Sequence, residues 1–200
     1  PVNLDGYYNV RSFMTYGFPI STLQSNLNID FTANHTHTPG LIEEALNYAN
    51  NSNLGVGLTL ASNVSDRLDF TLSSRSNFNW VQNTLQAASN TNFLNQQTRL
   101  KFNWILGDGI IFRTDVTHDF YDGLSADFDQ NYLLWNMSIG KKLFKDDRGE
   151  ISLIVFDLLK QNNALTRNVT EVYTEDVQTN VIQQYVMVNF KYDLRHFKVK

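Results

Sequence analysis

Two imidazoles separated by one residue, His35-Thr-His37, are the first side chains in this sequence whose type and spacing could do chemistry. On an extended strand both would point to one face, as a pair of metal ligands does. No third ligand stands at a recognisable spacing, and a closed site needs three or four. Four carboxylates, Asp119, Asp122, Asp127 and Asp129, crowd one stretch and offer hard oxygen to Ca²⁺. Their spacing does not match an EF-hand loop, so a solvated acidic loop is the plainer reading. His118 and Ser125 come nearest to a nucleophile and its base, but nothing supplies the third, orienting group. The chain therefore reads as no enzyme, and no cofactor is expected. It has no cysteine, so neither a thiol nucleophile nor a disulfide framework is available. The net charge of −4 leaves no basic patch for nucleic acid.

A larger set of charges carries more information. Arg67, Asp69, Arg75, Arg99, Arg113, Asp115, Lys191, Asp193 and Arg195 all fall on the polar parity of alternating segments. They can form a ladder of cross-strand ion pairs. They can also form part of a surface past which a solute moves, or against which a plug rests.

The segments that position these charges are strands. In Gln130–Phe144, residues Leu133, Trp135, Met137, Ile139 and Leu143 share one parity, and Asn136, Ser138, Gly140 and Lys142 the other. Successive side chains of a strand project to opposite faces, so this ribbon has an apolar side and a polar side. About a dozen residues in a strand reach roughly 40 Å; tilted by about 40°, they cross the ~30 Å hydrocarbon core of a bilayer. The same alternation recurs at residues 7–18, 23–34, 54–61, 67–80, 94–106, 110–117, 151–160 and 186–195, which predicts nine strands. Short turns are expected near 19–23, 63–66, 107–109 and 145–149, and long loops near 38–53, 82–92, 119–129 and 161–180. Leu41–Leu46 could coil into a helical turn. Pro19 and Pro39 are expected at strand ends. Trp80, Phe78 and Phe93 fit one aromatic girdle and Phe18, Trp104 and Phe144 a second, with Trp135 outside both.

Charged residues make up 18% of the chain, below the usual quarter, and aromatics 13%, while the mean hydropathy is negative. That mixture suits alternating lipid-facing and lumen-facing positions better than a water-soluble core. The fold expected is all-β: an antiparallel up-and-down transmembrane β-barrel. An odd strand count starts and ends the chain on opposite sides of the membrane, so residues 1–200 read as the C-terminal part of a larger barrel. No secretory leader opens the sequence, so an export signal would lie outside these residues.

Three stretches resemble a known family: Trp135-Asn-Met-Ser-Ile-Gly-Lys-Lys-Leu-Phe-Lys145, Glu150-Ile-Ser-Leu-Ile-Val-Phe-Asp-Leu-Leu-Lys-Gln-Asn-Asn163 and Gln184-Tyr-Val-Met-Val-Asn-Phe-Lys-Tyr192. With Tyr16-Gly-Phe-Pro-Ile20 and Ser62–Phe70, they resemble the C-terminal end of the Bacteroidetes outer-membrane β-barrel family, the TonB-dependent-receptor-like proteins. The resemblance implies a barrel of about 22 strands closed by an N-terminal plug, in the bacterial outer membrane. It also implies import of a bulky nutrient driven by an inner-membrane TonB complex. Expected partners are outer-membrane lipid, the plug and remaining strands of the same protein, and an unidentified substrate. Two other readings are a non-transporting structural or adhesin-like barrel, and a soluble β-barrel that binds a small apolar ligand.

Overall fold

The computed structural model describes residues 3–62, 64–85, 87, 90–123, 131–169 and 174–194. Eleven strands follow one another: β1 (Tyr8–Ile20), β2 (Ser25–Ile42), β3 (Ala45–Ser62), β4 (Leu68–Asn83), β5 (Thr91–Leu106), β6 (Ile110–Asp122), β7 (Asn131–Leu143), β8 (Gly149–Phe156), β9 (Ala164–Val169), β10 (Thr174–Thr179) and β11 (Tyr185–Tyr192). Nine of them form one antiparallel sheet in the order β1-β2-β3-β4-β5-β6-β7-β8-β11, and β9 pairs with β10 in a separate hairpin. The described residues hold no α-helix, and no helix is long and apolar enough to cross a membrane, which says nothing about crossing by strands.

The alternation sets the register. Leu72 stands between Leu60 and Leu100, and Val116 between Leu100 and Trp135. One apolar face, several register levels deep, therefore runs across the sheet from Tyr16 and Ile29 on β1 and β2 to Leu153 and Val188 on β8 and β11. No second layer packs on this face among the described residues. Met14 is 62% exposed, Ile139 55% and Val188 68%. The buried apolar side chains of the sheet, Ala49, Val81 and Ile111, carry the opposite parity, on the polar face. That is the reverse of a soluble sheet, which buries its apolar face.

The sheet is open. β1 pairs only with β2, and β11 only with β8, so the outer edges of both have no partner among the described residues. In an antiparallel sheet of nine strands the first and last run in the same direction.

Several connections depart from the expected pattern. The stretch 38–53 is no loop: β2 and β3 run on in register to Ile42↔Ala45 and reverse at Glu43-Glu44. Both glutamates have positive φ, 49° and 70°, as a two-residue hairpin turn of the right twist demands. No helical turn forms at Leu41–Leu46, because cross-strand pairs such as Asn34–Asn53 and His37–Asn50 give the chain a hydrogen-bonded alternative. Pro39 thus lies inside β2 rather than at its end. β1 stops opposite His37, so the missing N–H of Pro39 leaves no ladder bond unmade. The stretch 161–180 holds the β9–β10 hairpin, and β8 ends at Phe156 rather than Lys160.

Left-handed backbone suits Asn and Gly far better than Glu. Replacing Glu43-Glu44 by Asn-Gly is expected to stabilise this hairpin by about 1 kcal/mol, read as slower amide exchange across residues 38–49.

Candidate functional site

The polar face is built from the residues that alternate with the apolar row. Small residues let its longer side chains lie flat. A β-carbon at Gly57 would stand 3.4 Å from both Arg75 Nε and Asp30 Oδ2, so those two groups flank the glycine from either side. Gly140 does the same for a longer reach. Arg113 on β6 crosses β7 there to meet Glu150 on β8, with Nη1–Oε1 at 2.5 Å and Nη2–Oε2 at 3.0 Å. A β-carbon at Gly140 would meet Ser152 at 3.1 Å and sit 3.5 Å from Glu150 Oε1. Arg99 pairs in fork fashion with Asp115, its Nε donating to Oδ1 at 2.8 Å and its second nitrogen to Oδ2. Asp69 accepts from Asn103 Nδ2 at 2.8 Å, and Asp30 from Thr15 at 2.8 Å.

Between these pairs lies a cavity of about 330 Å³, lined by Asp69, Lys101, Asn103, Arg113, Asp115, Asn136 and Ser138 together with Phe102, Thr114, Met137 and Ile154. The buried Asn103 Oδ1 has no hydrogen-bond partner there. Planar forks hold the two arginines, each through one edge of its guanidinium. The arrangement can present fixed charges and one unfilled amide oxygen, that of Asn103, to a polar solute. It offers no nucleophile beside a base.

The other predicted residues scatter. Arg67 stands in the turn before β4, where its carbonyl accepts the Ile105 N–H. Lys191 and Asp193 approach at 3.4 Å on the exposed end of β11. Asp119 lies on the polar face, whereas Asp122 is opposite Leu94 on the other face, which breaks up the expected acidic loop. Both are strand residues of β6. His35 and His37 share the apolar parity, beyond the apolar row. Their Nδ1 atoms meet Ser52 Oγ at 2.8 Å and Asn50 Oδ1 at 2.7 Å, and Tyr8 stacks on His37. His118 also points to that side and meets Asn131 at 2.7 Å. Among the described residues no group of three His, Asp or Glu could hold a metal. Ser125, Asp127, Asp129 and Arg195 lie outside the described residues.

At the end of the sheet away from the 107–109 turn, the chain folds over its own polar face. Asp119, 7% exposed, accepts from Gln97 at 2.7 Å beside Tyr121 and Tyr132. Phe93, expected in a girdle, has the parity of Asn79 and lies on this face instead. Arg167 of β9 stacks over its ring at 5.1 Å. The same guanidinium forks onto Asp176 of β10, with both contacts at 2.6 Å, and donates to the Gly123 carbonyl at 2.7 Å. Its side chain is 7% exposed and that of Asp176 3%. This clasp fastens the hairpin across the polar face.

The chain enters that excursion through Asp157, which is 1% exposed and has φ +49°. Its carboxylate accepts the N–H groups of Gln161 at 2.8 Å and Asn162 at 3.0 Å, while Asn136 Oδ1 accepts its own N–H at 2.9 Å. The stretch Phe156-Asp-Leu-Leu-Lys-Gln-Asn162 is thus a carboxylate-stapled chain reversal. Asn tolerates the left-handed conformation but supplies one acceptor oxygen where Asp has two. Asp157→Asn is therefore expected to cost about 1–2 kcal/mol, measured by the urea midpoint.

Comparison with family models, curated proteins and solved structures finds no match to this chain.

Glu150, Arg167, Asp176 and Asp157 are the functional-face residues that sequence spacing did not mark. Asp157 had a local signal, an acid inside an apolar run followed by Leu-Leu-Lys-Gln-Asn. Arg167 and Asp176 had none, because their partners are set by a hairpin read as a loop.

Proposed function

We propose that this chain is the C-terminal part of a larger outer-membrane barrel of the TonB-dependent-receptor type, which binds a bulky nutrient and passes it through a plugged lumen. One observation carries the reading: the large apolar side chains lie uncovered on one face, while the β9–β10 hairpin is fastened through Arg167 against one end of the other, polar face. Hydrocarbon suits the first face, and a wet lumen the second. A soluble barrel enclosing an apolar ligand would place Trp80, Trp104 and Trp135 inside and leave the polar face to solvent.

The two open edges fit an incomplete ring. Strand edges are not tolerated in lipid. Because β1 and β11 run in the same direction, an all-antiparallel ring needs an odd number of further strands between them. A total of about 22 strands meets that condition.

Trp135, which lies outside both expected girdles, fits the lipid face because its Nε1 donates to Thr114 Oγ1 at 2.8 Å. A buried indole N–H needs such a partner. Fixed charges, the unfilled Asn103 Oδ1 and a fastened hairpin on the polar face suit a gated passage.

The test is nutrient accumulation in the native host. Deleting the gene is expected to abolish uptake of one nutrient too large for general porins, and collapsing the inner-membrane proton gradient to do the same. Unchanged accumulation of every tested nutrient would instead support the non-transporting scaffold.

A further inference from the structure

The apolar face carries one charge that its alternation does not explain. Lys141 on β7 has apolar parity, between Ile110 of β6 and Ile151 of β8. Among the described strand residues only Asp122, at the opposite end of the sheet, is a formal charge of the same parity. Lys141 has no carboxylate partner among the described residues; its Nζ donates to the Asp108 carbonyl at 2.5 Å, in the turn between β5 and β6. Its neighbour Lys142 lies on the polar face and pairs with Asp147 at 3.4 Å.

Beside Lys141 the sheet surface dips into a shallow groove of about 530 Å³. Ile110, Ile139, Ile151, Leu153 and Val188 line it, with Lys141 at its rim. The groove is apolar along its floor and cationic only at the end nearest the 107–109 turn. Lysine beside lipid extends its stem along apolar surface and holds the ammonium at the interface. A cation at that depth meets phosphate.

We propose that this groove is a glycerophospholipid site, with one acyl chain along Ile139, Leu153 and Val188 and the headgroup phosphate on the Lys141 ammonium. The proposal rests on the apolar face being the lipid face, and its charge complementarity selects an anionic headgroup. One lysine near a membrane surface contributes about 1 kcal/mol of attraction, which is roughly a fivefold change in affinity.

The test titrates dioleoylphosphatidylglycerol into the full-length protein in nonionic detergent and counts bound lipid by native mass spectrometry. Lys141→Gln is expected to weaken the first binding event about fivefold, and Ile151→Trp, which fills the groove, to remove it. Lys142→Gln is expected to leave it unchanged. Dioleoylglycerol, which lacks the phosphate, is expected to bind no better to the native protein than phosphatidylglycerol binds to the Lys141→Gln variant. Equal binding by the native protein and Lys141→Gln overturns the proposal, as does an equal loss in Lys141→Gln and Lys142→Gln. Tryptophan quenching by brominated lipid in the same preparations separates the two levels. Quenching without a Lys141 effect removes only the lipid site; no quenching removes the membrane reading beneath it.

Discussion

Under the proposed reading, Leu100→Arg is expected to destabilise the protein in phospholipid vesicles by about 2–4 kcal/mol, and the same substitution at Leu106 by no more than about 1 kcal/mol. Both residues share the apolar parity of β5: Leu100 lies mid-row between Leu72 and Val116, and Leu106 at the turn end opposite Ile110. A guanidinium at mid-depth must thin the bilayer or draw water in, whereas one near the headgroups reaches them unaided. Thr59→Arg on the polar face, between Asn28 and Ser73, changes stability by no more than about 0.5 kcal/mol. Reversible urea unfolding from phospholipid vesicles measures all three. A gradient with depth on one face and indifference on the other is the signature of lipid. A protein interior on the apolar side would penalise Leu100 and Leu106 alike.

Arg167→Ala is the second large effect. The buried guanidinium holds Asp176, the Gly123 carbonyl and the Phe93 ring at once. Removing it strips a buried carboxylate of its fork partner, a loss that costs about 3–5 kcal/mol in buried ion pairs. The cost falls on the hairpin rather than the sheet, since β9 and β10 pair only with each other. Amide protection across 164–169 and 174–179 is therefore expected to collapse while that of β5 and β6 persists. Arg167→Lys recovers little, because an ammonium cannot present two parallel donors to Asp176 or stack flat on Phe93. Hydrogen exchange on the folded protein reads both variants. Equal loss of protection in β5 would show that the clasp holds the sheet itself.

Much of this architecture is legible in the residues alone. β7 announces itself because Leu133, Trp135, Met137 and Ile139 alternate with Asn136, Ser138 and Gly140, and one face must avoid what the other seeks. Nine sheet strands and their antiparallel order follow from repeating that pattern. It fails where both faces are polar. The upper parts of β2 and β3, with Asn47, Asn50, Asn51 and Asn53, look like loop because Asn and Ser favour turns in isolation. Cross-strand partners decide their state, and no local window contains those partners. The β9–β10 hairpin was hidden for the same reason.

The site shows a similar split. That Arg99, Arg113 and Asp115 share a face follows from parity. That Arg113 reaches past β7 to Glu150 depends on Gly140, a residue whose lack of a side chain is read only when three strands lie side by side. Phe93 was misassigned because its aromaticity suggested a girdle while its parity placed it under Arg167. Where type and parity disagree, parity decides the face.

The central claim is that hydrocarbon covers the apolar row, and the chain carries its own reporters of it. All three tryptophans, Trp80, Trp104 and Trp135, lie on that face. The most direct measurement is fluorescence quenching of single-tryptophan variants in vesicles of lipids brominated at known acyl depths. The account predicts strongest quenching of Trp135 by deeply placed bromine and of Trp104 by shallow bromine. Emission from Trp135 that ignores brominated lipid at every depth would contradict it.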